Sequence, residues 1–324
     1  MTAGDPSEFQ VQRLRVHESR PAAQDIQLFE FRALDGSDLP PFEPGAHLMV
    51  RAPNGLLRRY SLCNDPHERV RYQITVKREA QGRGGSISMV DECRVGDEIQ
   101  VSLPRNDFTL VSPSVSYLFI AGGIGITPIL SMIRYLKTAG GKPYKLFYLT
   151  REPALTAFRD ELSGPEYRGK VVIHHDHGDP DRSYDLWPLL EQPKGAHLYC
   201  CGPRGLMEAV RDMTGHWSAS AVHFEDFGSG KAASGANDNP FTVRLARAGA
   251  TLEVPVGKSL LEVLRASGHE VSYSCESGTC GTCRVHYLEG EVDHRDLVLT
   301  DQERVRTMMV CVSRSFSPEL VLDL

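Results

Sequence analysis

The sequence lacks several features that mark particular protein classes. It has no apolar run of about 18 residues, so we expect no membrane span. The opening MTAGDPSEFQ contains no apolar core and therefore does not resemble a signal peptide. A net charge of -6 provides no basic excess to attract phosphates, which argues against a nucleic-acid partner. We therefore expect a cytoplasmic protein, whose eight cysteines stay reduced and serve metal binding, redox chemistry or packing.

The pattern of strands and helices changes twice along the 324 residues, which indicates several domains. Short alternating strands separated by glycine turns predict a small antiparallel β-barrel over residues 1–111. Apolar strands that alternate with helical segments predict a parallel α/β domain over residues 112–226. Small and polar residues predict a linker over 227–239, and a third domain follows over 240–324.

Two helix starts carry recognisable signals. Thr127 is a predicted N-cap, with Pro128 at the first helical position. Ser259 and Glu262 predict a capping box at the start of a helix in the third domain, and Gly268 predicts its end.

Three cysteines lie close together in the stretch SCESGTCGTC, residues 274–283. Their spacing is Cys275-x4-Cys280-x2-Cys283, and Cys311 follows after 27 intervening residues. This is the spacing of the four ligands of a plant-type [2Fe-2S] cluster. The sequence therefore predicts these four cysteines as metal ligands, with Cys311 on a strand.

The small residues of this cysteine loop suit a buried, negatively charged cluster. Gly278 and Gly281 can adopt a positive φ, so that backbone N–H groups turn towards the sulfur atoms. Two alternatives stay open. Four cysteines can bind zinc, although zinc sites usually combine two short spacings, and the cysteines can also be incidental.

A glycine-rich loop in the barrel region predicts an anion site. The loop QGRGGSIS, residues 81–88, leads into a predicted helix whose N-terminal N–H groups are free, and Ser86 and Arg83 add donors. The strand RRYSL, residues 58–62, precedes it. Taken alone, that strand is equally consistent with an edge strand that carries two solvated arginines.

Two motifs follow predicted strands of the α/β domain. AGGIGITP, residues 121–128, joins a strand to a helix, and its glycines permit a close approach of pyrophosphate to the helix N-terminus. CCGP, residues 200–203, ends another strand. Each motif has a purely structural alternative, namely a tight turn for the first and a buried, inert thiol for the second.

The run HHDH, residues 174–177, raises the possibility of a metal site. Strand alternation separates His174 and Asp176 from His175 and His177, which disfavours it. We instead expect Asp176 to approach a ribose, where a carboxylate would repel a 2′-phosphate and favour NADH over NADPH.

R-x-Y-S, the glycine-rich loop, G-G-I-G-I-T-P and C-G-P occur in this order, and together they resemble the ferredoxin–NADP reductase superfamily. With the C-terminal cysteine motif, nearly the whole chain is similar to the phthalate dioxygenase reductase family, the one-chain reductases of Rieske oxygenases. The resemblance implies a flavin-binding antiparallel β-barrel, a parallel α/β domain for the nicotinamide nucleotide and a C-terminal β-grasp ferredoxin domain of α+β class. It also implies FMN rather than the FAD of most superfamily members.

The resemblance implies a role for individual residues. It assigns the flavin site to Arg58, Tyr60, Ser61, Thr75, Val76, Lys77, Gly84, Gly85, Ser86 and Phe227. It assigns the nicotinamide-nucleotide site to Gly123, Thr127, Thr150, Asp176 and Cys201. Hydride transfer would take place beside Cys201, Ser61 and Phe227.

The resemblance further implies an electron-transfer enzyme. NADH would reduce FMN by hydride transfer, and single electrons would pass through the [2Fe-2S] cluster to the Rieske centre of an aromatic-ring dioxygenase, with phthalate dioxygenase as the first candidate. A reductase for a demethylating or amine-attacking oxygenase is the alternative. A redox sensor and a zinc-binding module are alternatives from other classes. We expect a monomer with neither nucleic acid nor membrane as partner.

The acidic run EGEVDHRD, residues 289–296, is either a docking surface or a solvated face.

Overall fold

The computed structural model describes residues 11–82, 84–112, 114–227 and 238–324. The predicted donor Arg83 and most of the predicted linker lie outside the described residues. The chain divides into two compact units, with Glu225 at the end of the first and Asp226 at the start of the second. The domain boundaries expected near residues 111 and 239 stay predictions.

The first part of unit 1 is a six-stranded antiparallel sheet. Its strands are β1 (Val11–Ala23), β2 (Ile26–Ala33), β3 (His47–Arg51), β4 (Leu57–Ser61), β5 (Tyr72–Lys77) and β6 (Glu98–Ser102). They lie in the order β4-β3-β6-β1-β2-β5. A bridge between Leu62 and Ile74 joins the two edge strands, so the sheet closes into the predicted barrel. Alternating apolar side chains fill its interior, among them Val16, Phe29 and Leu48. Helix α1 (Gly85–Glu92) connects β5 to β6.

The second part of unit 1 is a five-stranded parallel sheet. Its strands are β7 (Ser116–Gly122), β8 (Tyr144–Thr150), β9 (Val171–His175), β10 (Ala196–Cys201) and β11 (Val222–Glu225), in the order β11-β10-β7-β8-β9. Its helices are α2 (Ile126–Thr138), α3 (Arg159–Leu162), α4 (Trp187–Leu190) and α5 (Arg204–Met213). The chain order reverses between β7 and β10, and such a switch point is where open α/β sheets bind ligands.

Helix α2 begins two residues earlier than predicted. Gly123–Gly125 form a 3₁₀ turn that runs directly into Ile126, so the residue before the helix is Gly125 and no side chain caps it. Thr127 therefore lies inside the first turn, where its Oγ1 donates to the carbonyl of Ile124 at 3.1 Å. The glycine turn replaced the predicted cap because it already continues the helical path.

Unit 2 contains a mixed five-stranded sheet with one main helix. Its strands are β12 (Phe241–Leu245), β13 (Thr251–Val254), β14 (Arg284–Glu289), β15 (Val292–Asp293), β16 (Thr307–Met309), β17 (Arg314–Ser315) and β18 (Glu319–Leu322). The main sheet has the order β13-β12-β18-β14-β16, and β15 pairs with β17. Only β12 and β18 run parallel in this sheet, an arrangement that matches the predicted β-grasp fold. The helices are α6 (Leu260–Ala266) and the short α7 (Asp301–Arg304).

The predicted capping box is present at the start of α6. The Ser259 hydroxyl accepts from the N–H of Glu262 at 3.1 Å, and the Glu262 carboxylate accepts from the N–H of Ser259 at 2.7 Å. Gly268, with φ 80°, follows the helix end as predicted. The three buried leucines of α6 face the core of the unit (Leu260, Leu261, Leu264).

None of the helices in the described ranges is both long and apolar enough to cross a membrane.

We expect Leu264→Ala to destabilise unit 2 selectively. Leu264 is fully buried in the core, so its truncation should lower the free energy of unfolding by about 2–5 kcal/mol. Leu288→Ala is the matched control because Leu288 is 56% exposed on β14, and it should change that energy by less than about 0.5 kcal/mol. Hydrogen exchange in urea, followed by mass spectrometry, measures both units at once. Equal effects of the two substitutions would contradict the assigned core.

Candidate functional site

The glycine turn and the CCGP motif meet at the switch point of the parallel sheet. A Cβ on Gly125 would lie 2.1 Å from the carbonyl oxygen of Cys201, and one on Gly122 would lie 2.5 Å from Cδ of Pro203. Only glycine permits this approach. The structure therefore brings together two predicted motifs that are some 75 positions apart in the sequence.

The start of α2 presents an open backbone surface. Gly123 has φ 53°, and a Cβ there would meet nothing within 4 Å. The first turn of α2 carries no acidic side chain. Backbone N–H groups at a helix start favour an anion, and this geometry suits a pyrophosphate.

Cys201 is the last residue of β10 and is fully buried. Its neighbour Cys200 is also buried, and desolvation raises the pKa of that thiol far above its usual value. Because side chains alternate along a strand, the two thiols point to opposite faces of the sheet.

Thr150 and the two histidines at the end of β9 make hydrogen bonds within the domain. Oγ1 of Thr150 lies 2.8 Å from Oγ1 of Thr156 and 2.8 Å from Nδ1 of His175. Burial and the nearby histidines lower the pKa of His175. His174 bonds elsewhere, with its Nε2 2.7 Å from the carbonyl of Arg182. The predicted separation of the histidines is thus observed.

Asp176 follows the last residue of β9 at the carboxyl edge of the sheet. Its Oδ1 accepts from the N–H of Gly178 at 2.8 Å, which fixes the turn after the strand. One carboxylate oxygen is thereby oriented by the backbone, and a ribose contact for Asp176 stays a prediction.

Arg58 and the glycine-rich loop are in contact in the barrel. A Cβ on Gly85 would lie 2.6 Å from Nε of Arg58, so the arginine side chain passes directly over this glycine. Gly84 precedes α1 with φ 82°, and the first turn carries no acidic residue and no side-chain cap. The Ser86 hydroxyl accepts from the N–H of Glu79 at 3.1 Å. A guanidinium beside a helix start suits a phosphate group.

Tyr60 has a buried hydroxyl with no hydrogen-bond partner in the part of the chain that the structure describes. Burial raises the pKa of this phenol to about 12, so it is neutral and can donate. Buried hydroxyls normally have partners, and an orphaned donor beside Arg58 is a feature that a bound cofactor would satisfy.

The three predicted residues of β5 face different environments. The side chain of Val76 lies in the barrel core, so only its backbone is available to a ligand. Oγ1 of Thr75 is buried 3.6 Å from Sγ of Cys63. Lys77 is exposed and pairs with Glu79 at 3.3 Å.

Glu225 is a residue that the sequence analysis did not identify. It is the buried last residue of β11, and the Ser61 hydroxyl donates to its Oε2 at 3.2 Å. This bond joins the end of a barrel strand to the end of an edge strand of the parallel sheet. The resemblance assigns only Phe227, two residues later, to the flavin site.

Helix α2 holds the barrel and the parallel sheet together within unit 1. Nη1 of Arg134 donates to the carbonyl of Cys63 at 2.7 Å, and the Ser131 hydroxyl donates to that of Asn64 at 3.0 Å. Both carbonyls belong to the turn that follows Ser61. The helix whose start presents the open backbone surface therefore also positions the end of the barrel strand. No sequence motif indicated this.

Phe227 is half-buried and belongs to unit 2. Its predicted role beside the flavin stays a prediction.

The four predicted metal ligands gather in unit 2. Cys275, Cys283 and Cys311 are buried, and Cys280 is partly exposed. The N–H of Val310 bonds to the carbonyl of Cys283 at 3.3 Å, which brings the end of β16 beside the start of β14. Cys311 was expected on a strand; it lies in the turn after β16.

The thiols approach one another in two pairs. Cys280 bonds to Cys275 and lowers the pKa of the Cys275 thiol to about 3, while the pKa of Cys280 rises. Cys311 likewise lowers the pKa of Cys283, and its own rises. Within the described ranges no three Cys, His, Asp or Glu side chains are arranged around one metal ion. Two thiols for each of two metal ions is the pattern that a [2Fe-2S] cluster requires.

Backbone N–H groups point at these sulfur atoms. The N–H of Ser277 lies 3.4 Å from Sγ of Cys275, where that of Thr279 also bonds. The N–H of Gly278 faces the Cys311 thiol and lowers its pKa. Gly278 and Gly281 have φ 76° and 79°, as expected. N–H donors stabilise thiolates, so the donor set fits a cluster with negative charge.

The acidic run near the loop is not a uniformly solvated face. Asp296 is completely buried, and Asp293 pairs with Arg295. These two carboxylates are used inside the domain.

Comparisons with known proteins agree with this geometry. Three family models match: an oxidoreductase FAD-binding domain at residues 13–110, an oxidoreductase NAD-binding domain at 119–212 and a 2Fe-2S iron-sulfur cluster binding domain at 243–315. Phthalate dioxygenase reductase from Burkholderia cepacia is 53% identical over 321 residues, which cover 98% of this chain and 99% of that protein. The phthalate 4,5-dioxygenase oxygenase reductase subunit from Pseudomonas putida is 53% identical over 96% of each chain.

A solved structure of phthalate dioxygenase reductase is also similar. It is described as a modular structure for electron transfer from pyridine nucleotides to [2Fe-2S], and it shows 52% identity and a TM-score of 0.72 over 99% of this chain and 100% of that one. The chain therefore belongs to the phthalate dioxygenase reductase family and is an oxidoreductase with flavin-binding, NAD-binding and [2Fe-2S] domains.

Proposed function

We propose that this protein is the NADH-dependent reductase component of an aromatic-ring dioxygenase. Electrons would pass from NADH through FMN and a [2Fe-2S] cluster to the Rieske centre of the oxygenase, with phthalate dioxygenase as the first candidate. The observation that carries this proposal is the loop of four cysteines, whose backbone N–H groups face the sulfur atoms. The same chain has a candidate phosphate site at Arg58 and Gly85 and a crevice where Gly125 meets Cys201.

The barrel residues would bind the FMN. Arg58, Gly84, Gly85 and Ser86 would hold the phosphate, because a guanidinium and free N–H groups converge there. The neutral Tyr60 hydroxyl would donate to the cofactor. A bound flavin accepts two electrons from a hydride donor and releases them singly, which matches a one-electron acceptor. FMN, rather than FAD, follows the resemblance to the one-chain reductases.

The crevice at the switch point would bind NADH. The turn at Gly123 and the start of α2 at Thr127 would receive the pyrophosphate. Asp176 would face the ribose, where its charge disfavours the 2′-phosphate of NADPH. Cys201 would lie beside the nicotinamide, since it ends the strand at the centre of the crevice.

Ser61 and Glu225 would orient the reacting rings. Their buried hydrogen bond of 3.2 Å joins the two halves of unit 1. We assign Phe227 to the same region by the resemblance alone.

The four cysteines would ligate the cluster, two on each iron. Cys275 and Cys280 form one pair, and Cys283 and Cys311 form the other. In each pair one thiol is held in the thiolate form that iron binds, and its partner would lose its proton when the metal binds. We further propose that the protein works as a monomer in the cytoplasm, where such thiols stay reduced until they bind metal.

Gly125→Ala should impair the reaction with NADH. The added Cβ would lie 2.1 Å from the carbonyl oxygen of Cys201, so the turn and the CCGP motif must separate. We expect flavin reduction by NADH to slow by about tenfold or more, because misplaced reactants lose rate steeply. Stopped-flow absorbance measures it. Gly205→Ala on α5 is the control, since a Cβ there meets nothing within 4 Å. Wild-type rates in both variants would contradict the assignment of this crevice as the NADH site.

Cys280→Ser should remove the cluster and leave the flavin reaction intact. NADH oxidation with ferricyanide should stay within about twofold of wild type, because the flavin and nucleotide sites lie in the other unit. Iron analysis and the visible spectrum report the cluster. Cys93→Ser in the barrel is the control and should keep it. A Cys280→Ser protein with a full cluster would overturn the ligand assignment.

Ser86→Asp should weaken FMN binding by about tenfold or more, because a carboxylate beside a phosphate is repelled. Ser86→Asn has nearly the same size without the charge and should bind flavin far better. Flavin content after gel filtration and fluorescence titration measure the difference. Acid release of the wild-type flavin identifies it as FMN or FAD. Equal flavin binding by both variants would contradict the phosphate site.

A further inference from the structure

Helix α7 is too short to be stable alone, and its last two residues, Glu303 and Arg304, carry opposite charges. Thr300 and Glu303 form a capping box that fixes the helix start. Glu303 pairs with Arg284 and Arg304 pairs with Asp296, and both partners follow the cysteine loop in the sequence. The two ion pairs differ sharply in burial.

The buried ion pair joins Arg304 to Asp296. Asp296 has no exposed surface, and its Oδ2 accepts from the N–H of Leu299 at 2.8 Å. Nη2 of Arg304 donates to the carbonyl of Asp296 at 2.9 Å and lies 3.5 Å from its Oδ2. Burial by itself would raise the pKa of Asp296, but the neighbouring His294 ring, the N–H of Leu299 and the charge of Arg304 hold it below the usual value. Asp296 is therefore a buried carboxylate that depends on Arg304 and on His294, whose Nδ1 lies 3.7 Å from its Oδ1.

This pair is connected to the ligands through Gly278. The N–H of Leu297 donates to the carbonyl of Gly278 at 3.0 Å, and a Cβ on Gly278 would lie 3.2 Å from Cα of Asp296. Gly278 has φ 76°, and its own N–H faces the Cys311 thiol closely enough to lower the pKa of that thiol. The position of the Asp296 backbone thus sets the direction of an N–H group that faces a ligand sulfur.

The exposed ion pair reaches the other glycine of the loop. Oε1 of Glu303 lies 3.2 Å from Nη1 of Arg284, and Nε of Arg284 donates to the carbonyl of Gly281 at 3.4 Å. The side chains of Arg284 and Glu303 are 48% and 37% exposed. Exposed ion pairs contribute little to stability, whereas removal of one partner of a buried pair is strongly destabilising.

We propose that Asp296 and Arg304 are positioning residues for the cluster: together they brace the cysteine loop in its ligating conformation through Gly278. Glu303 and Arg284 form a geometrically similar contact that the loop does not require. The proposal rests on the assignment of the four cysteines as cluster ligands, and it adds two residues outside the cysteine motif to the machinery of that site.

The central comparison is Asp296→Asn against Glu303→Gln in the full-length protein. Each change replaces a carboxylate by an amide of the same size, and only the first removes a buried charge. We expect Asp296→Asn to release its iron to a chelator about tenfold faster or more than wild type, and Glu303→Gln to stay within about twofold. The electron paramagnetic resonance spectrum of the reduced cluster should shift or broaden in Asp296→Asn only, because the N–H of Gly278 no longer points correctly at Cys311. General destabilisation without a change in the site would leave that spectrum unchanged.

A double-mutant cycle tests the pair itself. Arg304→Met should accelerate iron release as strongly as Asp296→Asn, since it leaves the carboxylate buried without the guanidinium that pairs with it. The double variant should be less impaired than the two single effects combined, because neither charge is then left alone. Additive effects would show that the two residues do not act as one brace.

A measurement on cluster-free protein separates this proposal from the proposed function. After the iron is removed, the thiols of the cysteine loop should react with a disulfide reagent about tenfold faster in Asp296→Asn than in wild type. The buried thiols of unit 1, such as Cys200, should react at an unchanged rate and serve as internal control. If the wild-type protein never binds a cluster, the proposed function is wrong. Thiol reactivity still tests whether Asp296 and Arg304 hold the cysteine loop in place. If Asp296→Asn matches Glu303→Gln in iron release, in the resonance spectrum and in thiol reactivity, the proposed positioning role of Asp296 and Arg304 is wrong.

Discussion

The approach of Gly125 to the carbonyl of Cys201 is the contact on which the nucleotide half of the molecule depends. The 2.1 Å that would separate a Cβ from that oxygen leaves no room for any side chain. Because the glycine turn can lie this close, the ends of β7 and β10 meet and the crevice forms between them. The same turn continues without a break into α2, so its direction also sets the axis of that helix.

Helix α2 transmits this geometry to the barrel. Ser131 and Arg134 donate to the carbonyls of Asn64 and Cys63, just beyond the strand that ends at Ser61. These acceptors are backbone atoms, so the contact fixes the position of the chain rather than of one side chain. Two buried tyrosines act in the same way at the domain junction, since the hydroxyls of Tyr117 and Tyr199 bond to Val111. A reaction between two bound rings requires such a preset relation between their sites.

Unit 2 addresses a different physical problem, the burial of negative charge. Four thiolates and their cluster need donors, and a loop of small residues supplies them from its backbone. A loop with this much conformational freedom must be held by its surroundings. The buried Asp296 and Arg304 are well suited to this, because a buried carboxylate strongly resists separation from its partner.

The sequence by itself determined the fold class and the principal motifs, because these depend on local chemistry. Alternation of apolar residues distinguishes barrel strands from parallel strands, and cysteine spacing reflects the reach of a single loop. It did not reveal Glu225, Arg134 or the pair of Asp296 and Arg304, whose partners are far away in the chain or carry no motif. The start of α2 also differed, since the cap predicted from Thr127 competed with a glycine turn that already followed the helical path. Only the tertiary structure decided these features, because a hydrogen bond between distant residues depends on where the whole chain has folded.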